Sequence, residues 1–349
     1  MKMRLAGALG LGLLVFMLVG KAAAQETVVR LITHDSFAVS DSVLEAFEAE
    51  TGLTVEILRV GDAGLMVNQS ILTRDNPLGD VLFGVDNTFL TRALDADLFE
   101  EYESPLRDNV DPAFLEGIGA QVTPVDFGDV CLNFDAAWFS EHGVELPESL
   151  ADLTKPEYRS LLAVENPATS SPGLAFLLAT VAAYGDNGYE QFWADLVAND
   201  VAVSESWTDA YYGQFSGSTG STGTRPMVVS YASSPAAEVY FAEEPLSEPP
   251  TGSITVDGAC FRQIEYAGVL SGAANPEGAQ RFIDFLLTPA FQADMPLNMF
   301  VYPVVPDVDL PEVYVPIALP AEVPASMTPD EIGALRDDLL ERWTEIVLR

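Results

Sequence analysis

The chain has 349 residues, 48% of them apolar, enough for a substantial core and long enough that two lobes are expected rather than one. Its formal charge is −37; of the 16 basic residues three (Lys2, Arg4, Lys21) fall in the leader described next, leaving 13 against 53 acidic ones, a charge of −40. So acidic a surface repels nucleic acid and anionic lipid, which both need a positive footprint, and attracts a cationic solute at a range set by salt screening; for most of the carboxylates solvation alone is reason enough.

The N-terminus opens with Lys2 and Arg4, continues with the apolar stretch Leu5–Val19, and reaches the small residues Ala22–Ala24. This pattern reads as a secretory signal peptide cut after about Ala24. Neither a cysteine near the cut nor twin arginines are present, so the general export route to a periplasm is expected. Beyond the leader no apolar run reaches the roughly 18 residues of a membrane span.

Val28–Thr33 predicts a first strand, Ser42–Ala49 a helix stopped by Gly52, Leu53–Val60 a second strand and Leu65–Leu72 a short helix. Asp80–Val85, nearly all apolar, predicts a parallel strand covered on both faces. This alternation marks an α/β lobe, whose ligands gather beyond the C-terminal strand ends. His34, Asp35, Asp62 and Asp86 fall at such ends. Val122–Phe134 reads as a passage into a second lobe. There Leu161–Val164 is a strand and Ser170-Ser-Pro172 opens a helix to about Tyr184, with Ser171 as its cap. Tyr189–Ala198 is a further helix, Met227–Tyr231 a strand, and Ser233-Ser-Pro235 repeats the helix-start pattern. Ser216–Thr224 (SGSTGSTGT) reads as a mobile surface loop. Thr328-Pro-Asp-Glu331 is a capping box that opens a last amphipathic helix.

His34-Asp35-Ser36 holds the residue types of a hydrolase triad, but neighbours in sequence rarely converge as a relay. No Gly-x-Ser-x-Gly elbow, phosphate loop or dinucleotide fingerprint occurs, so an enzyme is not the expectation. His34 and His142 lie far apart, which argues against a zinc site. Cys131 and Cys260 sit in strand-like runs; export permits a disulfide, but their spacing does not decide whether they meet. The Ser-Ser-Pro starts each offer backbone N–H groups and a positive dipole end to a ligand, although taken alone they read as ordinary caps. Trp207, within Ser204-Glu-Ser-Trp-Thr-Asp209, is a candidate stacking platform or a partly buried core residue.

Taken together, Thr33-His-Asp-Ser-Phe37, Gly79-Asp-Val-Leu-Phe-Gly-Val-Asp-Asn87, Pro124-Val-Asp-Phe-Gly128, Glu165-Asn-Pro-Ala-Thr-Ser-Ser-Pro-Gly173, Ser206-Trp-Thr-Asp-Ala-Tyr211, Ser230-Tyr-Ala-Ser-Ser-Pro235, Phe282–Gln292 and Tyr302-Pro-Val304 carry a resemblance. The chain resembles the thiamine-binding periplasmic proteins of ABC importers, within the wider iron, polyamine and thiamine class. The resemblance implies a two-lobed α/β periplasmic binding protein fold of type II-like form, with the ligand in the cleft. Lobe 1 would take residues 25–122 and 258–304, lobe 2 residues 123–257, and a C-terminal helical segment, 305–349, would pack on lobe 2. The ligand-binding residues it implies are Asp62, Ala63, Ser170, Ser171, Trp207, Tyr231, Ala232, Ser233, Ser234 and His34. His34 stands where the family commonly has a stacking tyrosine, and Ala237 where it often has another aromatic. The implied cargo is thiamine or a thiamine phosphate, with a polyamine or ferric iron as alternatives. No cofactor or metal is implied; the implied partners are a membrane permease and its ATPase, and the protein itself would be a monomer. An enzyme on a thiamine-like substrate and a purely structural surface protein are the readings from other classes.

Overall fold

The structure, a computed structural model, describes residues 27–349 apart from positions 245, 247 and 257 and the side chains at 186 and 187. The leader expected at 1–24 lies outside the described residues. The first part of the chain runs β1 (Val28–Thr33), α1 (Asp41–Thr51), β2 (Thr54–Arg59), α2 (Ala63–Leu72), β3 (Val81–Asp86) and α3 (Leu90–Asp95). The passage strand β4 (Thr123–Asp135) and α4 (Ala136–His142) follow. Next come β5 (Leu162–Glu165), α5 (Ser171–Ala198), β6 (Ala202–Ser204), β7 (Met227–Tyr231), α6 (Ser234–Tyr240) and β8 (Thr251–Ile254). The chain returns through β9 (Phe261–Val269), α7 (Pro276–Leu286), α8 (Pro289–Asn298) and β10 (Tyr302–Pro303), and ends with α9 (Pro329–Val347).

The strands follow the order β2-β1-β3-β9-β4-β7-β5-β6. In lobe 1, β1 lies parallel between β2 and β3; in lobe 2, β5 lies parallel between β6 and β7. Two antiparallel strands join these halves. β4 pairs with β9 from Thr123 to Val130 and with β7 from Val130 to Phe134, while β9 also pairs with β3. The loops at the C-terminal strand ends of both halves therefore open toward one cleft.

Local chemistry explains most element boundaries. Every residue of β3 is buried, as a parallel strand covered on both faces requires. Gly52 ends α1 in the left-handed region, its N–H returning to Glu48 O. The two helices expected at 172–184 and 189–198 run together as α5, broken where Gly185 takes φ 68° and ψ 174°. α5 starts one residue earlier than expected, with Ser170 as its cap and Ser171 as its first residue. In lobe 1, Phe47 of α1 packs against Phe282 and Phe285 of α7 at 5.3 and 5.1 Å between ring centres.

Three features differ from expectation or complete it. α9 packs on α5, Trp343 meeting Trp193 edge-on at 5.5 Å, and it also touches α3, where Thr91 Oγ1 donates to Pro329 O at 2.7 Å. The C-terminal helix thus straddles both lobes. The loop at 216–224 is anchored instead of free: Ser216 Oγ donates to Asp135 at 2.6 Å, Ser218 Oγ to Tyr211 O at 2.8 Å, and Thr219 N to Glu238 at 2.9 Å. Cys131 and Cys260 form a disulfide that ties β4 to the start of β9.

Candidate functional site

A cavity of about 290 Å³ lies between the lobes, near the lower end of the range for small-molecule sites, roughly 300–1,000 Å³. Lobe 1 and the crossing strand β9 contribute His34, Asp35, Asp62, Gln263 and Glu265 to its wall. Lobe 2 contributes Ser171, Trp207, Tyr211, Tyr212, Tyr231, Ser234, Ala237 and Phe241, and Asn298 to Val301 close one side.

The lobe 1 wall is built around a buried charge. His34 follows β1 and is only 7% exposed. Its ring fits because residue 84 is glycine: β3 bulges there at φ 94°, and a Cβ would stand 2.2 Å from His34 Cδ2. His34 Nε2 lies 3.2 Å from Glu265 Oε1. Burial opposes charge on the imidazole, but the Glu265 carboxylate, helped by Asp62 and Asp86, outweighs it and holds the His34 pKa above its usual value. Burial also works against the Glu265 charge, and His34 reverses that, so the Glu265 pKa falls below the usual glutamate value. Burial and then the Glu265 charge push the pKa of Asp126, beside it on β4, well above its usual value. Burial likewise raises Glu165 well above its usual value, with Asp62 adding to the effect.

The lobe 2 wall is aromatic. Trp207 lies two residues ahead of a π-helical turn over Asp209–Gln214, a form common at functional sites. Its ring stacks on Tyr211 at 4.9 Å and 20°, and meets Tyr212 edge-on at 5.6 Å. Trp207 Nε1 donates to Ser230 Oγ at 2.9 Å, which fixes the ring's direction. Adjacent side chains on an α-helix diverge; on the wider π turn Tyr211 and Tyr212 both reach the cavity. Burial first, then nearby carboxylates, hold Tyr211 and Tyr231 far above the usual phenol range, so both remain neutral donors.

Direct contacts join the lobes beside the cavity. Asp62 caps α2, accepting from Ala63 N at 2.8 Å, and its other oxygen accepts from Trp207 N of lobe 2 at 3.0 Å. Ser171 Oγ donates to Asp86 at the end of β3, and Gly64 N donates to Thr169 O at 3.2 Å. The cleft is therefore closed.

Of the residues expected in the site, His34, Asp62, Ala63, Ser171, Trp207, Tyr231 and Ser234 line the cavity. Ser170, Ala232 and Ser233 do not reach it. Ser170 is fully buried beside the Asp62 carboxyl, Ala232 packs against the disulfide, and Ser233 Oγ donates to Phe300 O. Asp62 makes a clasp between lobes, so its oxygens are engaged by the protein's own N–H groups. Glu265, Gln263, Tyr212, Phe241 and Phe300 escaped the sequence reading. Phe241 lies one helical turn beyond Ala237, its N–H bonded to Ala237 O, and lines the rim of the cavity. The alternation in Arg262-Gln-Ile-Glu-Tyr266 was the available signal for Glu265, a carboxylate inside a buried strand.

Two α/β halves linked by crossing strands, with a closed cavity of aromatic and acidic walls between them, define a two-lobed solute-binding protein. Residues 76–316 match the family of bacterial extracellular solute-binding proteins, and the chain belongs to that family. It is 29% identical over 339 residues to the thiamine-binding periplasmic protein of Salmonella typhimurium, covering 94% of this chain and 95% of that one. The Escherichia coli protein of the same name is 29% identical over 334 residues, 92% of this chain and 94% of its own. Among solved structures, a periplasmic thiamin binding protein superposes with a TM-score of 0.81 at 27% identity, over 95% of this chain and all of that one. Iron-bound HitA of Pseudomonas aeruginosa superposes at 0.73 with 19% identity, over 92% and 99% of the two chains, a likeness of fold alone.

Proposed function

We propose that this protein binds thiamine, or a thiamine phosphate, in the cleft and delivers it to an ABC permease with its cytoplasmic ATPase. It would act as a cleaved, exported, monomeric periplasmic carrier that needs no cofactor and returns its ligand unchanged. The observation that carries the reading is the pairing of walls: the Trp207–Tyr211–Tyr212 ring cluster on one side and the Glu265 and Asp35 carboxyls on the other. Thiamine joins a flat aminopyrimidine to a permanently cationic thiazolium; aromatic faces and a carboxylate suit both. A polyamine site would need several uncommitted carboxylates. Asp62 and Asp86 accept hydrogen bonds from the protein itself, and burial beside Glu265 disfavours charge on Asp126. Ferric iron suits the cleft less: Tyr211 and Tyr231 are buried as neutral phenols, and no group of three His, Cys, Asp or Glu able to hold a metal occurs among the described residues.

Closure would follow from hinge movement at β4 and β9, the ligand favouring the closed state by its differential affinity. Calorimetric titration with thiamine, thiamine monophosphate, spermidine and ferric citrate tests the cargo; saturable one-to-one binding of a thiamine compound is expected. Binding of spermidine or iron in its place would move the cargo to a sister class. Small-angle scattering on the same samples should show compaction on saturation, and none would end the hinge proposal.

A further inference from the structure

Among the described residues that line the cavity, His34 is the one side chain able to carry positive charge. It is not a free surface group. Its Nε2 sits 3.2 Å from Glu265 Oε1, both side chains are at most 9% exposed, and the Gly84 bulge holds the ring in place. The groups around it are all acidic or neutral. Glu265 faces it from β9, Asp62 from the start of α2 and Asp86 from the end of β3. Asp126 of β4 stands behind Glu265, and Tyr231 of β7 lies in the same acidic surroundings. Asp35, next in sequence, lines the cavity and accepts from Gly61 N at 3.0 Å.

This arrangement poses a problem for a cationic ligand. Glu265 is the buried carboxylate best placed to balance it, yet the His34 imidazolium already occupies that role. A ligand cation entering the cavity meets like charge on His34, and the low dielectric of a closed cleft makes that repulsion strong. One relief is open to the pair: the imidazolium gives its proton to solvent, becomes a neutral ring, and leaves the Glu265 charge to the ligand. We propose that His34 is a built-in counter-cation of Glu265 which a cationic ligand replaces, so that binding of the cation is coupled to release of the His34 proton. This rests on the thiamine reading for the identity of the cation and deepens it by naming Glu265 as the counter-anion and His34 as the group that yields. Neutral His34 is then free to present its ring face to a flat ligand.

The sign follows from linkage. Below the His34 pKa each bound thiamine must expel a proton, so affinity falls as pH falls, by up to about tenfold per pH unit. Above that pKa the ring is already neutral and affinity levels off. Asp86, whose pKa burial raises to about 6, could release a proton as well, so the test must tell the two apart.

The experiment is calorimetric titration of the exported chain with thiamine between pH 5.5 and 8.5, in buffers of different ionisation enthalpy. Between zero and one proton should leave per thiamine, approaching one at the acid end, and His34→Gln should bring that number near zero and flatten the profile. Zero release in the unaltered protein overturns the proposal; release that persists in His34→Gln assigns the proton to a carboxylate and overturns it equally. Should thiamine produce no heat at all, the thiamine reading fails, and NMR titration of the ring decides the pair separately. The chain has two histidines, and His142 is an exposed internal reference. Glu265→Gln should lower the His34 pKa; an unchanged His34 titration would show that the two residues do not act as a pair.

Discussion

Lobe 1 and β9 line the cavity with His34, Asp35, Asp62 and Glu265, whereas lobe 2 lines it with Trp207, Tyr211, Tyr212 and Tyr231. The acidic wall is costly, because each buried charge must be paired or kept neutral. It is accordingly held by internal partners: Glu265 by His34, Asp86 by Ser171 and Thr88, Asp62 by two backbone N–H groups. The aromatic wall has two side-chain polar anchors, from Trp207 Nε1 to Ser230 Oγ and from Tyr231 OH to Gln263 Oε1, and otherwise gains by packing ring on ring. One wall is preset by charge and the other by shape, so pH and side-chain truncation should affect them differently.

The largest expected effect concerns pH. Asp62, Asp86, Asp126, Glu165 and His34 all have folded-state pKa values above their usual ones. Such groups contribute stability that is fully present below the unfolded pKa and lost as pH rises through the folded one. For Asp86, raised from 3.8 to about 6, the loss amounts to about 3 kcal/mol. Glu265, with its pKa lowered, acts oppositely, and its contribution disappears only as pH falls below the ordinary glutamate range. Thermal unfolding of the ligand-free protein should therefore show a Tm that declines as pH rises from 3.8 through about 6 and on toward pH 8, and Asp86→Asn should reduce the slope in the part below about pH 6. The tyrosines of lobe 2 stay neutral throughout this window. A Tm that is flat or rises between pH 5 and 8 would contradict the account of lobe 1.

The aromatic wall should respond to truncation. Trp207→Ala removes the ring but keeps the backbone N–H that Asp62 accepts from across the cleft. The clasp between lobes survives, and the variant reports on the ring alone. Thiamine binding should weaken at least tenfold, about 1.4 kcal/mol, with little change in its pH profile. Unaltered affinity by calorimetry would remove Trp207 from the site.

The ease of reading these walls from sequence differed for a physical reason. Strand–helix alternation and helix caps are local signals, so β1, β3, β7 and the starts of α5 and α6 were legible within a residue or two. His34, Asp62, Trp207 and Ser234 were legible because they follow strand ends or open helices. Glu265 was hidden, since its partners His34 and Asp126 lie more than a hundred residues away and meet it only through the β3-β9-β4 order. Tyr212 escaped because its approach to the cavity depends on a π turn that no local sequence pattern announces. Ser170 and Ser233 follow the site pattern in sequence, yet turn their hydroxyls into the protein. The anchoring of the 216–224 loop depends on Glu238 and Asp135, neither adjacent to it in sequence.

The smallest effect separates the floor of the aromatic wall from its rim. Tyr211 is 2% exposed and Phe241 is 65% exposed, though both touch the cavity. Apolar stabilisation follows the area withdrawn from water, about 25 cal/mol per Å², and Phe241 has only the part of its ring that a ligand newly covers to contribute. If 20 Å² or so is covered, Phe241→Ala should cost about 0.5 kcal/mol, a two- to threefold weakening of thiamine binding. The substitution leaves α6 intact, since alanine favours the helix and the bond from residue 241 N to Ala237 O is backbone. A loss as large as that from Trp207→Ala would mean that Phe241 swings inward over the ligand and takes the place that Ala237 leaves without a ring. The aromatic wall would then include a moving part, and the contrast between a charged wall held in place and an aromatic one held by packing would apply only to the floor of the cleft.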